Sequence, residues 1–306
     1  MTKQLITTPA DEILITCFGE VLWDCFGQDK RLGGAPLNVC WRLKSLGLNS
    51  QLISSVGNDP LGGSILSLLK QHKLNTGLIQ VNDDKATSEV LVELNSRGSA
   101  TYTIVEDSAW DNIQLTNEAL NAVKESDLFI FGSLVGRSAV SFDTLSALLP
   151  HAKFKVFDVN LREPHYKISQ VVEWMQHADF IKLNDDELFL IAEEMGCVYN
   201  SLEQCLEFIA EQTNTQNLCV TKGSHGAILK IDGCNYYNSG FKAKVVDTVG
   251  AGDGFLGALL YQLCVQDNPQ YAVDFACAVG ALIAQNSGAT PNLTTEQILS
   301  FINPKA

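Results

Sequence analysis

Asp247-Thr248-Val249-Gly250-Ala251-Gly252-Asp253-Gly254 runs directly into the apolar stretch Phe255-Leu256-Gly257-Ala258-Leu259-Leu260. Glycines at 250, 252 and 254 clear side chains from the main chain, so a ligand can approach it closely. The Ala- and Leu-rich continuation predicts a helix over 251–265 whose first N–H groups have no partner inside the helix. Such a terminus binds an anion without Lys or Arg. Asp253 falls in the first turn, where the helix dipole favours an ionised carboxylate. A carboxylate beside an anion hole can take a proton from an attacking hydroxyl. A plain Gly-rich turn with an Asp cap accounts for a lone G-x-G, but poorly for the whole octapeptide.

Outward from this turn, short apolar runs alternate with longer periodic segments. Strands are predicted at Ile13–Phe18, Gln51–Val56, Asp127–Phe131, Lys155–Val159, Phe180–Leu183 and Leu218–Thr221. Helices are predicted at Pro36–Leu46, with Pro in its first turn, and at Leu61–Gln71. Further helical patterns lie near 116–124, 138–149, 168–178, 185–194 and 201–212, with a last one at Gln270–Gln285. This alternation predicts an α/β fold, a mostly parallel sheet with helices on both faces. Thr87–Leu94 and Ala100–Val105 break the rhythm, with Asn95-Ser96-Arg97-Gly98 as turn residues between them. Together with Val21–Phe26 they cannot join a parallel sheet by short connections. They predict a small, mostly antiparallel flap, read either as a plain extension or as a lid over a cleft. The expected organisation is one domain, 1–306, with a lid from segments 20–33 and 86–108. An isolated flap exposes one face, so the lid is also a candidate homodimer contact.

Hydrophobic residues make up 46% of the 306, ample for a large buried core. No segment reaches the roughly 18 uninterrupted apolar residues of a membrane span. The stretch Met1 to Glu12 lacks the basic start and apolar run of a signal peptide, so a cytoplasmic protein is expected. The nine Cys include no C-x-x-C pair, and most sit in apolar surroundings, as buried thiols in a reducing compartment do. The five His (72, 151, 165, 177, 225) show no ligand spacing, so no zinc site is expected. A formal charge of −14 disfavours nucleic acid and anionic membranes as partners. It repels nucleotides as well, so phosphate binding must rely on backbone dipoles and a counter-ion.

Asp247–Asp253 resembles the D-T-x-G-A-G-D signature of the ribokinase-like (PfkB family) carbohydrate kinases. Gly33-Gly34-Ala35-Pro36-Leu37-Asn38 is similar to that family's G-G-x-x-x-N loop. Gly57-Asn58-Asp59-Pro60-Leu61-Gly62 resembles its G-x-D-x-x-G, Asn184-Asp185-Asp186-Glu187 its N-x-x-E, and Thr221-Lys222-Gly223-Ser224-His225-Gly226 its T-x-G-x-x-G. The motifs occur in the family's order and cover most of the chain. The resemblance implies an ATP-dependent sugar kinase, with Asp253 as base. Gly250, Ala251 and Gly252 would hold the transferring phosphoryl group by their backbone. Asn184 and Glu187 would organise Mg²⁺ and phosphates through water. Read without the resemblance, these two serve equally well as a helix cap and a solvated acid. Thr221, Gly223, Ser224 and Gly226 would line the nucleotide, and Asp247 would hold a monovalent cation such as K⁺.

At the sugar end, Asp24 in Gly19-Glu20-Val21-Leu22-Trp23-Asp24 matches the family's acidic sugar ligand; the alternative is an Asp at a strand edge. One carboxylate can accept from two adjacent hydroxyls. Gly33, Gly34 and Asn38 would add backbone approach and an amide. Asp158-Val159-Asn160-Leu161-Arg162 resembles the D-x-N-x-R of fructokinases and 2-keto-3-deoxygluconate kinases. Arg162 can meet a phosphate or an acidic substrate group, or form a structural Asp–Arg pair. Ala109-Trp110-Asp111 resembles the A-W-D of fructokinases, with Trp110 alternatively a core aromatic. Fructose is therefore the expected acceptor, with 2-keto-3-deoxygluconate, ribose or a nucleoside as alternatives. A dinucleotide-dependent dehydrogenase would need G-x-G-x-x-G after an early strand, which is missing. So is the P-loop G-x-x-x-x-G-K-[ST]. A non-catalytic sugar sensor remains a rival, because fold alone does not prove activity.

Overall fold

Runs such as Leu128-Phe129-Ile130-Phe131 have the period of a strand, which sends alternate side chains to opposite faces of a sheet. In the computed structural model, which describes residue 6 and residues 8–27, 29–94 and 100–304, both faces of such strands are buried. The elements in chain order begin β1 (Leu14–Phe18), β2 (Leu22–Phe26), β3 (Asp29–Gly33), α1 (Ala35–Ser45), β4 (Asn49–Gly57), α2 (Pro60–Gln71), β5 (Ile79–Asn82), β6 (Ser88–Leu94) and β7 (Ala100–Ile104). They continue α3 (Asn117–Glu125), β8 (Leu128–Gly132), α4 (Ala139–Leu148), β9 (Lys155–Asp158), α5 (Ile168–His177), β10 (Phe180–Asn184), α6 (Asp185–Glu194) and α7 (Leu202–Thr213). The last are β11 (Leu218–Thr221), β12 (Ala227–Ile231), β13 (Cys234–Asn238), α8 (Ala251–Val265), α9 (Pro269–Ala284) and α10 (Thr295–Ile302).

The large sheet has the order β13-β12-β11-β10-β9-β8-β1-β4-β5. Pairing is parallel from β11 across to β5, and the β12–β13 hairpin adds an antiparallel edge. Two apolar layers cover it. Leu128 and Ile130 pack towards the layer of α1, α2, α8, α9 and α10. Phe129 and Phe131 pack towards the layer of α3 to α7. The expected α/β sandwich is therefore present. Sequence reading missed β3, β5, β12, β13 and α10.

The second sheet is small, with the order β3-β2-β6-β7. β2–β3 and β6–β7 pair antiparallel, but β2 and β6 run parallel, which the expectation of a mostly antiparallel flap leaves room for. The turn expected at Asn95–Gly98 lies outside the described residues. The flap has only a small apolar cluster of its own, Leu22 and Val90 with Phe26 and Ile104 against them. Its position must therefore be set by contacts to the body.

The second layer is dominated by aromatics. Phe131 lies 5.0 Å from Phe157, nearly parallel, and 5.9 Å from Trp174, edge-on. Phe131 is almost wholly buried, so Phe131→Ala leaves a cavity between three rings. The expected loss is about 3–5 kcal/mol of folding stability, read by urea denaturation.

Candidate functional site

Parallel strands end together, and the loops of Glu20, Ser133, Asp158, Asn184 and Thr221 leave the same, carboxyl edge of the large sheet. Glu20 follows β1, Ser133 follows β8, Asp158 ends β9, Asn184 ends β10 and Thr221 ends β11. Neighbouring register pairs set their spacing: Gly132 faces Asp158, Asp158 faces Lys182, and Asn184 faces Thr221.

The N-terminus of α8 is brought down onto this edge. Gly250 caps it at φ 74, a left-handed conformation, and a Cβ there would lie 2.3 Å from the Ala289 Cβ. Glycine is required on both counts. The Gly254 N–H donates to the Gly250 carbonyl at 2.8 Å, closing the first turn. The Ala251 N–H is turned back on the Thr248 carbonyl at 3.2 Å. This corrects the expectation that Ala251 offers its amide to a phosphate. The N–H groups of Gly252 and Asp253 stand in the first turn, where the helix supplies no acceptor.

Asp253 Oδ2 accepts from Asn38 Nδ2 at 2.8 Å. Asn38 was expected to read the sugar; its amide N–H holds Asp253, and its buried Oδ1 has no protein partner. The helix dipole argues for an ionised Asp253, but burial outweighs it. Burial first, and the neighbouring Asp158 second, push its pKa above the usual carboxylate range, partly offset by Asn38, Lys182 and Arg162.

Lys182 is the residue that sequence reading passed over. It is 5% exposed, and its Nζ donates to Asp158 Oδ1 at 2.9 Å. The same Nζ lies 3.5 Å from where a Cβ on Gly252 would sit, so the cation faces the α8 terminus. Burial drags its pKa down, yet Asp158, Glu187 and Asp253 more than compensate and hold it above the ordinary lysine value. A lone Lys inside Phe180-Ile181-Lys182-Leu183 was the available signal. Asp158 also lines a cavity of about 10 Å³, room for one water, with Glu20, Ser133 and Asn160. Its Oδ2 has no protein partner.

The alternative reading of Arg162, a structural pair with Asp158, does not form, because Lys182 takes Asp158. Arg162 is exposed, with its Nη1 on the Leu161 carbonyl at 2.9 Å. Its charge still lowers Asp253, Asp24 and Glu20. Glu187 and Asn184 form a reciprocal cap at the start of α6. Glu187 Oε2 accepts from the Asn184 N–H at 2.8 Å, and Asn184 Oδ1 accepts from the Glu187 N–H at 2.8 Å. Glu187 Oε1 takes the Leu161 N–H at 2.7 Å. Each carboxylate oxygen is thus engaged, which leaves lone pairs for a water but no free arm for direct Mg²⁺ coordination. Among the described residues, no cluster of three or more His, Cys, Asp or Glu is set to hold a metal.

In the nucleotide-side loop, the Lys222 N–H donates to the Gly226 carbonyl at 2.8 Å. Gly223 (φ 53) and Gly226 (φ 80) both adopt left-handed conformations, and Ser224 is exposed. A Cβ on Gly226 would strike the Asn238 carbonyl at 2.0 Å, so this glycine fits the β13 end against the loop. Thr221 Oγ1 donates to the Leu183 carbonyl at 3.4 Å.

At the other end, Gly33 and Gly34 pack tightly against protein groups. A Cβ on Gly33 would meet Asp24 Oδ2 at 2.3 Å, and one on Gly34 (φ 112) would meet the Glu20 carbonyl at 2.4 Å. Both make room for neighbouring protein groups. Burial, then the charges of Asp253 and Asp247, push Asp24 up to about 6. Glu20 Oε1 accepts from the Ala35 N–H at 3.0 Å, and burial pushes its pKa up to about 7.

Two further motifs anchor the flap. Asp59 accepts from the Gly62 N–H (2.8 Å), the Thr87 N–H (2.7 Å) and the Thr87 hydroxyl (2.8 Å), tying α2 to the start of β6. Asp111 receives two parallel bonds from Arg137, each 2.7 Å, and Arg137 lies 4.2 Å over the Trp110 ring. Trp110 is fully buried, the core aromatic of the plainer reading.

Residues 7–296 match the model of the family described as pfkB family carbohydrate kinase. This chain belongs to that family. It is an ATP-dependent sugar kinase. A fructokinase of Escherichia coli is 28% identical over 87% of this chain and 90% of its own length. Fructokinase-2 of Oryza sativa subsp. japonica is 27% identical over 97% and 96%. The structure of a fructokinase double mutant from Vibrio cholerae, with fructose, ADP and potassium ion bound, superposes with a TM-score of 0.83 at 25% identity, covering 97% of this kinase and all of that chain. No helix among the described residues is long and apolar enough to cross a membrane.

Glu20 gives a test of this buried edge. Its folded pKa of about 7 exceeds the unfolded value of 4.5, so the native state holds the proton more tightly. Stability should therefore fall as pH rises from 4.5 through about 7, and Glu20→Gln should flatten that slope in urea denaturation.

Proposed function

We propose that this kinase transfers the γ-phosphoryl group of ATP to a primary hydroxyl of D-fructose, with Asp253 as general base. The observation that carries the reading is Asp253 itself, buried in the first turn of α8 and held by Asn38 beside the unpartnered N–H groups of that turn. The sugar would lie against Asp24 and the free Oδ1 of Asn38, with Arg162 at the mouth. The nucleotide would run along 184–187 and 221–226, where Asn184 and Thr221 are register partners. The attacking hydroxyl would give its proton to Asp253 as its oxygen bonds to the γ-phosphorus and the bond to the β-phosphate oxygen breaks. A carboxylate with a raised pKa is the stronger base for this step. The Gly252 and Asp253 N–H groups and the Lys182 ammonium would face the charge on the transferring group. Mg²⁺ would be held by the phosphates and by water on Glu187, and would neutralise phosphate charge.

A neutral sugar suits the sugar end, where Asp24, Glu20 and Asp253 are all acidic. A substrate carboxylate such as that of 2-keto-3-deoxygluconate would meet repulsion there. The fructokinase relatives and the D-x-N-x-R pattern at 158–162 support the same choice. We read the chain as one unit whose small sheet is a lid that excludes water on closing. The buried thiols of Cys17, Cys40, Cys219 and Cys277, outside any disulfide, agree with a reducing cytoplasm. Exposed Leu91 on β6 gives the lid an apolar contact through which two copies could pair.

Across a panel of fructose, 2-keto-3-deoxygluconate, ribose, glucose, mannose and nucleosides, coupled ADP release should be fastest with fructose. Asp253→Ala should keep the fold and ADP binding while lowering kcat by about 10²-fold or more. Near-normal turnover in that variant removes Asp253 from the base role. Asp24 must be ionised to accept two hydroxyls, so KM for the sugar should rise as pH falls through about 6 while KM for ATP holds. Asp24→Asn should raise KM for the sugar at all pH values and abolish that dependence.

A further inference from the structure

Asp247 was expected to hold a monovalent cation, and its surroundings do not fit one. Oδ1 accepts from the Val249 N–H at 3.0 Å. Oδ2 accepts from the Gly288 N–H at 3.1 Å and from Arg31 Nη1 at 2.9 Å. The guanidinium already supplies the positive charge, and its Cδ packs 3.7 Å from the Cβ position of Gly288. A second cation would have to displace Arg31 or sit against it, like charge to like charge.

Arg31 comes from the lid. It lies on β3, opposite Asp24 in register, and its Cζ stands 4.5 Å over the Phe26 ring of β2. Aromatic stacking beneath and a carboxylate ahead define its direction, a geometry that suits the planar guanidinium better than a lysine. Asp247 in turn ties together the two loops that shape the α8 terminus: its own, through Val249, and that of Gly288, beside the Ala289 on which Gly250 packs. A single side chain thus links the strand pair carrying the sugar-reading carboxylate to the loop facing the phosphate.

We propose that the Arg31 guanidinium serves this kinase in place of a monovalent cation, latching the lid onto the phosphate loop through Asp247. Arg31 is then a positioning residue. It touches neither sugar nor phosphate, and it sets the loop geometry only when the lid is down. The proposal rests on the phosphate role given above to the 247–254 loop.

The test compares wild type and Arg31→Met in tetramethylammonium and in K⁺ salts of equal ionic strength, with two readouts: steady-state turnover with ATP and fructose, and ADP affinity by calorimetry. Wild type should turn over, and bind ADP, equally well in both salts. Arg31→Met should lose roughly 10- to 100-fold in kcat in tetramethylammonium, as expected for a misplaced phosphate loop. K⁺ should restore most of that loss, and ADP affinity with it, because a bare carboxylate can then take the ion. Arg31→Lys should fall between the two and respond less to K⁺. Strong activation of wild type by K⁺ overturns the proposal. So does wild-type turnover by Arg31→Met in tetramethylammonium, or a loss that K⁺ does not restore. Failure of wild type to bind ADP in either salt would instead overturn the phosphate reading of the loop, and the latch with it.

Discussion

Lys182 and Asp158 face each other across adjacent parallel strands, 2.9 Å apart and almost wholly out of water. Lys182 faces the start of α8, where a Cβ on Gly252 would lie 3.5 Å from its Nζ. Burying such a pair is costly, and removing one partner alone commonly destabilises by about 3–5 kcal/mol. The site needs it nonetheless. Asp253 is buried beside Asp158 in a chain of net charge −14, and Glu187 lies close by. Without a cation among them, three carboxylates at the edge of a low-dielectric core would repel one another and the phosphates. One ammonium among three carboxylates offsets part of their charge where α8 begins, and Asp253 still keeps a raised pKa. The α8 start, the β9 and β10 ends and Glu187 all bring a charge to this cluster.

The small sheet is governed by a different constraint. Its four strands bury little apolar surface of their own, so polar contacts to the body must position it. Asp59 binds its entry at Thr87, and Asp111 with Arg137 binds its exit near Val105. Both anchors are rigid, because each carboxylate accepts several bonds from fixed donors. The stretches resembling family motifs at 57–62 and 109–111 thus hold the small sheet at its junctions with the body.

Much of the fold was legible in the sequence. β8 and β10 are apolar runs buried on both faces, α8 and α9 are long Ala- and Leu-rich helices, and α6 begins at a readable cap. What escaped notice has physical reasons. β3 reads Asp-Lys-Arg-Leu-Gly, with no strand pattern, because it is a half-exposed lid edge held by pairing to β2. β5 is short and lies at the sheet edge. The β12–β13 hairpin was readable: Asp232 (φ 47) and Gly233 (φ 77) form the left-handed pair that a two-residue turn demands.

By itself the sequence determined the layered α/β class, the Gly-rich helix start with Asp253 in its first turn, and the order of the motifs, because these depend on local periodicity and on glycine and Asp at fixed spacing. Tertiary structure decided which partner each polar group takes. Asp158 pairs with Lys182 rather than Arg162, Asn38 with Asp253, Glu187 with two backbone amides, and Asp247 with Arg31. A buried charge takes the donor that the fold carries within about 3 Å, and that neighbour is set by strand register and helix packing rather than by nearness along the chain.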